Sequence, residues 1–130
     1  MGARALDEWH RIVRTRDLGG LAALLSEQAT FHSPIVHTPQ VGKALTTMYL
    51  SGAVFVLGND SFRYVREVVG ARDAVLEFTT EVDGLVINGV DMITWDDDGR
   101  ITDFKVMIRP LKAINLVHQK MAAALATIKK

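Results

Sequence analysis

The sequence predicts an α+β fold: a curved antiparallel sheet wrapped into a cone, with helices ahead of it and one helix behind. Three observations carry this. Apolar residues recur at helical spacing as far as Gly58, alternate at strand spacing from Ser61 to Pro110, and return to helical spacing from Leu111 to Ile128. Helices and strands segregated along a chain belong to the α+β class. A twisted sheet with helices on one side makes a cone with an apolar interior. The 130 residues are expected to form one domain, which buries roughly two-thirds of the surface its unfolded chain exposes.

The helices come first. Ala3 to Thr15 places Leu6, Trp9, Ile12 and Val13 on one side of a helix. Asp17 is positioned to cap a second, short helix carrying Leu18, Leu21, Leu24 and Leu25, whose first turn Gly19 and Gly20 weaken. Ala29 to Ser33 is a short extended piece ending at Pro34, because the residue before a proline is pushed out of the helical region. Pro34 to Gly42 is a loop. Lys43 to Val54 is helical, with Ala44, Leu45, Met48 and Tyr49 on one face and Gly52 and Gly58 as its terminators.

Strands follow. Ser61 to Val69 alternates Phe62, Tyr64 and Arg66 with Arg63, Val65 and Glu67. Ala74 to Val82 is a strand, and Asp83-Gly84 is a two-residue hairpin signal. A type I′ turn there pairs Val82 with Leu85, which sets Phe78 opposite Gly89 and Leu76 opposite Asp91. One hairpin face then carries Leu76, Phe78, Thr80, Ile87, Gly89, Asp91, Ile93 and Trp95; the other is mixed, as on a solvated or subunit-facing surface. After Asp97-Asp98-Gly99 a last strand presents Thr102, Phe104, Val106 and Ile108 inward. Pro110 suits the start of the closing helix, whose stripe is Ile114, Val117, Met121, Leu125 and Ile128.

Asp91 stands in the middle of the inward stripe. A carboxylate on an apolar face is costly to ionise, so its pKa should rise, and perturbed carboxyls of this kind are functional candidates.

Composition excludes several classes. Basic and acidic residues balance at 15 each, and no basic face is evident, so nucleic acid is not an expected partner. The absence of cysteine excludes disulfides, thiolate metal sites and cysteine nucleophiles. Four scattered histidines lack metal-ligand spacing and there is no glycine fingerprint for nucleotides, so neither metal nor cofactor is expected. Met1 to His10 carries Arg4, Asp7 and Glu8 and no apolar run, unlike a signal peptide, and no segment approaches the ~20 apolar residues of a spanning helix. A cytoplasmic protein without a membrane partner is the default expectation.

The runs Asp17-Leu18-Gly19-Gly20-Leu21 and Ala29-Thr30-Phe31-His32-Ser33-Pro34, then Gly42, Gly89-Val90-Asp91 and Asp98-Gly99-Arg100-Ile101, follow a familiar order. Together they resemble the NTF2-like superfamily with its cystatin-like fold, closest in character to bacterial SnoaL-like and ketosteroid-isomerase-like members. The resemblance covers nearly the whole chain. It implies a curved sheet around a pocket, three N-terminal helices as a wall, and a homodimer through the outer sheet face. Ketosteroid isomerases carry a carboxylate base where this chain has Ser33, and a tyrosine donor where it has Trp9. They keep a protonated aspartic acid where it has Asp91, a described case of a carboxyl held neutral by an apolar site. One role of three is retained by type, so authentic steroid isomerisation is not expected. SnoaL-like cyclases close rings with an acid/base residue in the pocket. Epoxide hydrolases of this fold pair two aspartates through an arginine. Asp103 and Arg109 have outward parity, which counts against that last chemistry.

The candidate residues follow. Asp91 is the candidate general acid or hydrogen-bond donor to a developing oxyanion, with His32 or His37 beside the Pro34 loop as partner base. His32 alternates with Ser33, so it faces away from the pocket if Ser33 faces in. For the same reason the two do not make a nucleophile and base; a serine turning the chain before proline is expected. Trp9, Ser33, Tyr49 and Phe78 are expected to line the pocket, joined by Ile93, Trp95, Phe104, Val106 and Ile108 from the strands, while Phe55 suits either pocket wall or core. Asp96-Asp97-Asp98-Gly99 lacks the further ligands of a calcium loop and is read as a solvated turn. Glu77 and Glu81 stand on the outer face, within expected reach of Lys105.

Two functions are compatible with these features. One is an enzyme acting by acid/base chemistry on a hydrophobic, carbonyl-bearing small molecule, which calls for an open cavity above ~300 Å³. The other is a ligand-binding or dimeric assembly module, whose cavity is filled or is plugged by the C-terminal helix.

Overall fold

The computed structural model describes residues Gly2–Ile128, with side chains from Arg4 to Thr127. Helix α1 (Gly2–Thr15) buries Ala5, Leu6, Trp9 and Ile12. Asp17 then accepts a hydrogen bond from Gly19 N at 3.2 Å and caps a 3-10 turn (Leu18–Gly20), which runs into the single-turn helix α2 (Leu21–Leu24). The expected second helix stops there. Leu25 opens strand β1 (Leu25–His32), because pairing with Ile101 fixes its backbone in the sheet and overrides the local helical period.

A two-residue strand β2 (Gln40–Val41) precedes helix α3 (Lys43–Leu57). Gly58 ends α3 as expected, but Gly52 lies inside it, buried, where an added Cβ would come 3.1 Å from the Met121 Cε atom. The glycine serves helix packing there, not termination. Phe55, expected as either pocket wall or core, is neither: it points outward and is 75% exposed.

Four antiparallel strands follow: β3 (Arg63–Val69), β4 (Asp73–Val82), β5 (Leu85–Trp95) and β6 (Ile101–Arg109). The six-stranded order is β2-β1-β6-β5-β4-β3, and β1 pairs with β6 in parallel, so the curved sheet is mixed. Asp83 (φ 50°) and Gly84 (φ 80°) both take the left-handed conformation a type I′ turn requires. The counted register holds: Val82 faces Leu85, Phe78 faces Gly89 and Leu76 faces Asp91.

The register fixes the inner rows. One runs Tyr64, Phe78, Gly89, Ile108; the next runs Leu76, Asp91, Val106; the third runs Ala74, Ile93, Phe104, Phe31. An irregularity between Thr94 and Trp95 shifts the end of β6, so Ile101 takes the buried place that alternation assigned to Thr102. Thr102 donates to the Thr94 carbonyl instead.

Helix α4 (Leu111–Ile128) packs on α3, β5 and β6. Ala113, Val117 and Ala124 are its buried residues, with Met121 partly buried beside them; Ile128 of the expected stripe has its side chain outside the described residues. On the outer sheet face Glu77 pairs with Arg66 at 3.3 Å and accepts from Asn88 at 3.0 Å, not from Lys105, because the β3–β4 register sets Arg66 directly opposite. The Asp96–Gly99 turn is held by Asp96 Oδ1, which accepts from the amides of Asp98 and Arg100 at 3.0 Å each.

Candidate active site

Asp91 is held by strand register. Leu76 and Val106 flank it on the inner face, and its residue is 6% exposed. Its neighbour in chemistry comes from the edge of the sheet. Tyr64 on β3 donates its hydroxyl to Asp91 Oδ2 at 2.6 Å, and Trp9 on α1 donates its indole N–H to the same hydroxyl at 2.9 Å. Three elements thus meet in one chain of hydrogen bonds running from the α1 indole to the carboxyl. Aromatic edges fix the tyrosine ring: Phe62, Phe78 and His10 each meet it at close to a right angle. Among the described residues, the second carboxyl oxygen, Oδ1, accepts no protein hydrogen bond.

Burial decides the electrostatics. Removal from water pushes the Asp91 pKa up from 3.8 to about 7, against the Tyr64 hydrogen bond, which pulls it down. A net rise of that size corresponds to about 4 kcal/mol, so the desolvation cost outweighs a hydrogen bond to a charged group, which contributes roughly 1.5–3 kcal/mol. Tyr64 is itself pushed well above its usual value, first by burial and then by the Asp91 charge, so the phenol keeps its proton and stays a donor. The site can therefore present either a carboxylic acid or a carboxylate close to neutral pH.

Two cavities lie inside the cone. The inner one holds about 30 Å³ and is walled by Trp9, Tyr64, Phe78, Phe104 and Asp91 among others. That is room for a water molecule or one ligand oxygen. The outer one holds about 190 Å³ between Phe31, the 33–36 segment, Tyr49, Ile108 and the α4 residues Val117, Met121 and Leu125. Ala53, Leu57 and Val106 wall both. The enzyme reading called for more than ~300 Å³. The cavities are smaller because α4 roofs the outer one.

The sequence-predicted residues divide accordingly. Trp9, Phe78 and Phe104 face the inner cavity, Ser33, Tyr49 and Ile108 the outer, and Val106 both. Ile93 and Trp95 are fully packed core that lines neither, and the Trp95 indole N–H is buried with no partner among the described residues. His32 is not brought to Asp91. Phe31 takes the inward position on β1, so His32 turns to the outer face and meets Asp103 Oδ1 at 2.8 Å. His37 is exposed in the loop after β1 and lines neither cavity. The Ser33 hydroxyl accepts from the amides of Ile35 (2.9 Å) and Val36 (3.3 Å), forming the turn before α3. Arg109 points outward and donates to Asn88. His118 reaches the outer cavity from α4 as an exposed helix residue. No group of three or more His, Asp or Glu side chains able to hold a metal occurs among the described residues.

Tyr64 is the residue that sequence reasoning missed. Its signal was present: Phe62 and Tyr64, two aromatics at strand spacing in a stretch whose other residues are Arg, Glu and Val, mark the inward face.

A cone of sheet and helices around an apolar interior with one acid at its floor defines the class of cystatin-like pocket folds. This chain belongs to the SnoaL-like domain family, whose model matches residues 6–104. It is similar to a steroid delta-isomerase from Pseudomonas aeruginosa at 40% identity and a TM-score of 0.91, over 98% of this chain and 93% of that one. A bacterial protein of cystatin-like fold from Silicibacter pomeroyi is 30% identical, with a TM-score of 0.84 over 92% of this chain and 83% of its own. The epoxide hydrolase/cyclase-like enzyme SalBIII of salinomycin pyran-ring formation shares the fold at 17% identity and a TM-score of 0.66, over 83% of this chain and 90% of its own. No curated protein matches the chain. No helix among the described residues is long and apolar enough to cross a membrane.

Proposed function

We propose that this chain is a small-molecule enzyme that shifts a proton on an apolar, carbonyl-bearing substrate, with Asp91 as its acid/base group and no cofactor. One observation carries the reading: among the described residues, Asp91 is the only carboxyl lining either interior cavity, and burial holds its pKa at about 7. A catalytic acid/base works best when its pKa lies near the operating pH. With His32 and His37 turned away, one carboxyl must serve in both directions. As carboxylate it takes a proton from the carbon beside the carbonyl, and the electron pair moves onto the carbonyl oxygen. As carboxylic acid it returns that proton to another carbon as the carbonyl re-forms. Tyr64 fixes the orientation of the carboxyl through Oδ2 and leaves Oδ1 to the substrate. Ser33 supplies no base, so the reaction need not be the one for which the Pseudomonas aeruginosa relative is named. The same reading takes the protein as a cytoplasmic homodimer joined through the outer sheet face.

Deuterium exchange beside the carbonyl of a small cyclic enone tests it. Wild-type protein should speed exchange, with a rate that rises through about pH 7 as Asp91 loses its proton. Asp91→Asn should lower the rate by roughly 10²–10⁴-fold. An unchanged rate in that variant removes Asp91 from the mechanism. The alternative, a binding or assembly module without turnover, draws on the small inner cavity of about 30 Å³ and the satisfied Trp9–Tyr64–Asp91 chain. It predicts ligand binding with no exchange in either protein.

A further inference from the structure

The acid/base reading leaves the size of the substrate open, and the cavities bear on it. A substrate carbonyl meeting Asp91 must enter the inner cavity, which at about 30 Å³ admits the carbonyl oxygen and little beyond the carbon beside it. The rest of the molecule must then occupy the outer cavity of about 190 Å³. A protein cavity of ~150 Å³ lined by Leu, Ile and Phe takes a single benzene ring. The outer cavity is therefore sized for one ring with a few substituent carbons. A fused four-ring skeleton exceeds that volume and would have to project past Val117, Met121 and Leu125 of α4.

Polarity agrees with size. The outer walls are apolar apart from Ser33, whose oxygen is already engaged by two amides, His118, which is exposed to solvent, and the Tyr49 phenol. A second polar group on the substrate would find only the Tyr49 phenol as a fresh partner in these walls, and an unpaired one is costly. Ala53, Leu57 and Val106 line both cavities, so a ligand that spans the two must pass between these side chains, of which Ala53 is the smallest.

We propose that the site takes a single-ring ketone or enone, its ring under α4 and its carbonyl end at Asp91, with Ala53 as the residue that lets that end through. This rests on the proposed role of Asp91 and adds the substrate class and a specificity residue to it.

Calorimetric titration at about pH 6, where Asp91 is mainly protonated and can donate to a ketone, supplies the test. The probes are isophorone (a one-ring enone), mesitylene (a one-ring hydrocarbon of similar shape) and progesterone (a four-ring enone). Wild-type protein should bind both one-ring probes, isophorone about tenfold more tightly for its hydrogen bond. Progesterone should not bind. In Ala53→Leu, mesitylene should still bind and the preference for isophorone should vanish. Ala53→Val, a smaller intrusion, should reduce that preference if the larger side chain disturbs α3. Progesterone binding as tight as isophorone, or failure of both one-ring probes, overturns the size class. A preference for isophorone that survives both Ala53 variants overturns the passage. The deuterium-exchange assay stays separate. Size selection with exchange indifferent to Asp91→Asn leaves this inference standing and the acid/base role refuted; Asp91-dependent exchange with tight progesterone binding does the reverse.

Discussion

At the scale of single residues, the balance at Asp91 is set by solvation more than by any partner. The carboxyl has a strong donor in Tyr64 and still titrates at about 7, because the cone removes water from it. That imbalance has a consequence for stability. Below about pH 4 the group is protonated whether the chain is folded or not. Between about pH 4 and pH 7 the unfolded chain ionises Asp91 while the folded chain keeps its proton, so stability falls as pH rises across that window. Above about pH 7 both states are ionised and the full cost, on the order of 4 kcal/mol, remains. Asp91→Asn keeps an oxygen for the Tyr64 hydroxyl and cannot ionise. It should abolish this component of the pH dependence and leave the variant more stable than wild type at neutral pH. Urea unfolding of both proteins across the window reads the difference; an equally steep decline in both would assign the slope to other groups. Asp91 itself was legible because two strands of alternation and one hairpin turn fixed its face. His32 was half-legible: its parity opposes that of Phe31, and a phenylalanine has the stronger claim to the interior.

Elements were legible where their contacts are local. The β4–β5 hairpin follows from Asp83-Gly84 and needs no knowledge of the rest of the chain. The parallel β1–β6 pairing joins residues such as Phe31 and Phe104, far apart in sequence, and no short-range pattern announces it. The same pairing draws Leu25 out of the expected helix. The irregularity in β6 moves Ile101 inward by adding a residue that alternation cannot detect. Gly89 shows how tightly the hairpin is built. A Cβ there would stand 2.5 Å from the Met107 carbonyl oxygen and 2.6 Å from Cζ of Phe78, whose ring covers the glycine. Backbone on one side and a buried ring on the other leave no room to yield. Gly89→Ala is expected to cost about 1–3 kcal/mol, the range for overpacking a tight core. It should also displace Phe78 from the wall of the inner cavity. A variant with an unchanged urea midpoint would mean that the β5–β6 pair flexes more easily than this geometry implies.

The whole molecule is a cone with two unlike surfaces. Inside, apolar rows enclose one acid. Outside, the same strands alternate to a face where Val68, Val75 and Met92 form one cross-strand row and Val90 and Met107 stand in the next. Val68, Val75 and Met107 are 61%, 39% and 49% exposed. Charged side chains border this strip, with Arg66 and Glu77 paired on one flank and His32 and Asp103 on the other. A contiguous apolar strip with a charged border is the pattern of a protein–protein contact more than of a solvated sheet. It is the face through which the homodimer is proposed to form, and the cavities lie on the opposite, inner face, so assembly does not cover their walls. Met107→Asp places a carboxylate within this strip and removes a side chain whose burial contributes roughly 1.5–3 kcal/mol. Two-fold symmetry applies the change twice. Sedimentation equilibrium should therefore show the dimer dissociation constant raised by at least ~100-fold. Asp91 lies on the other face of the neighbouring strand, so enone binding by the monomeric variant should persist. A variant that sediments like wild type would place the subunit contact elsewhere on the molecule.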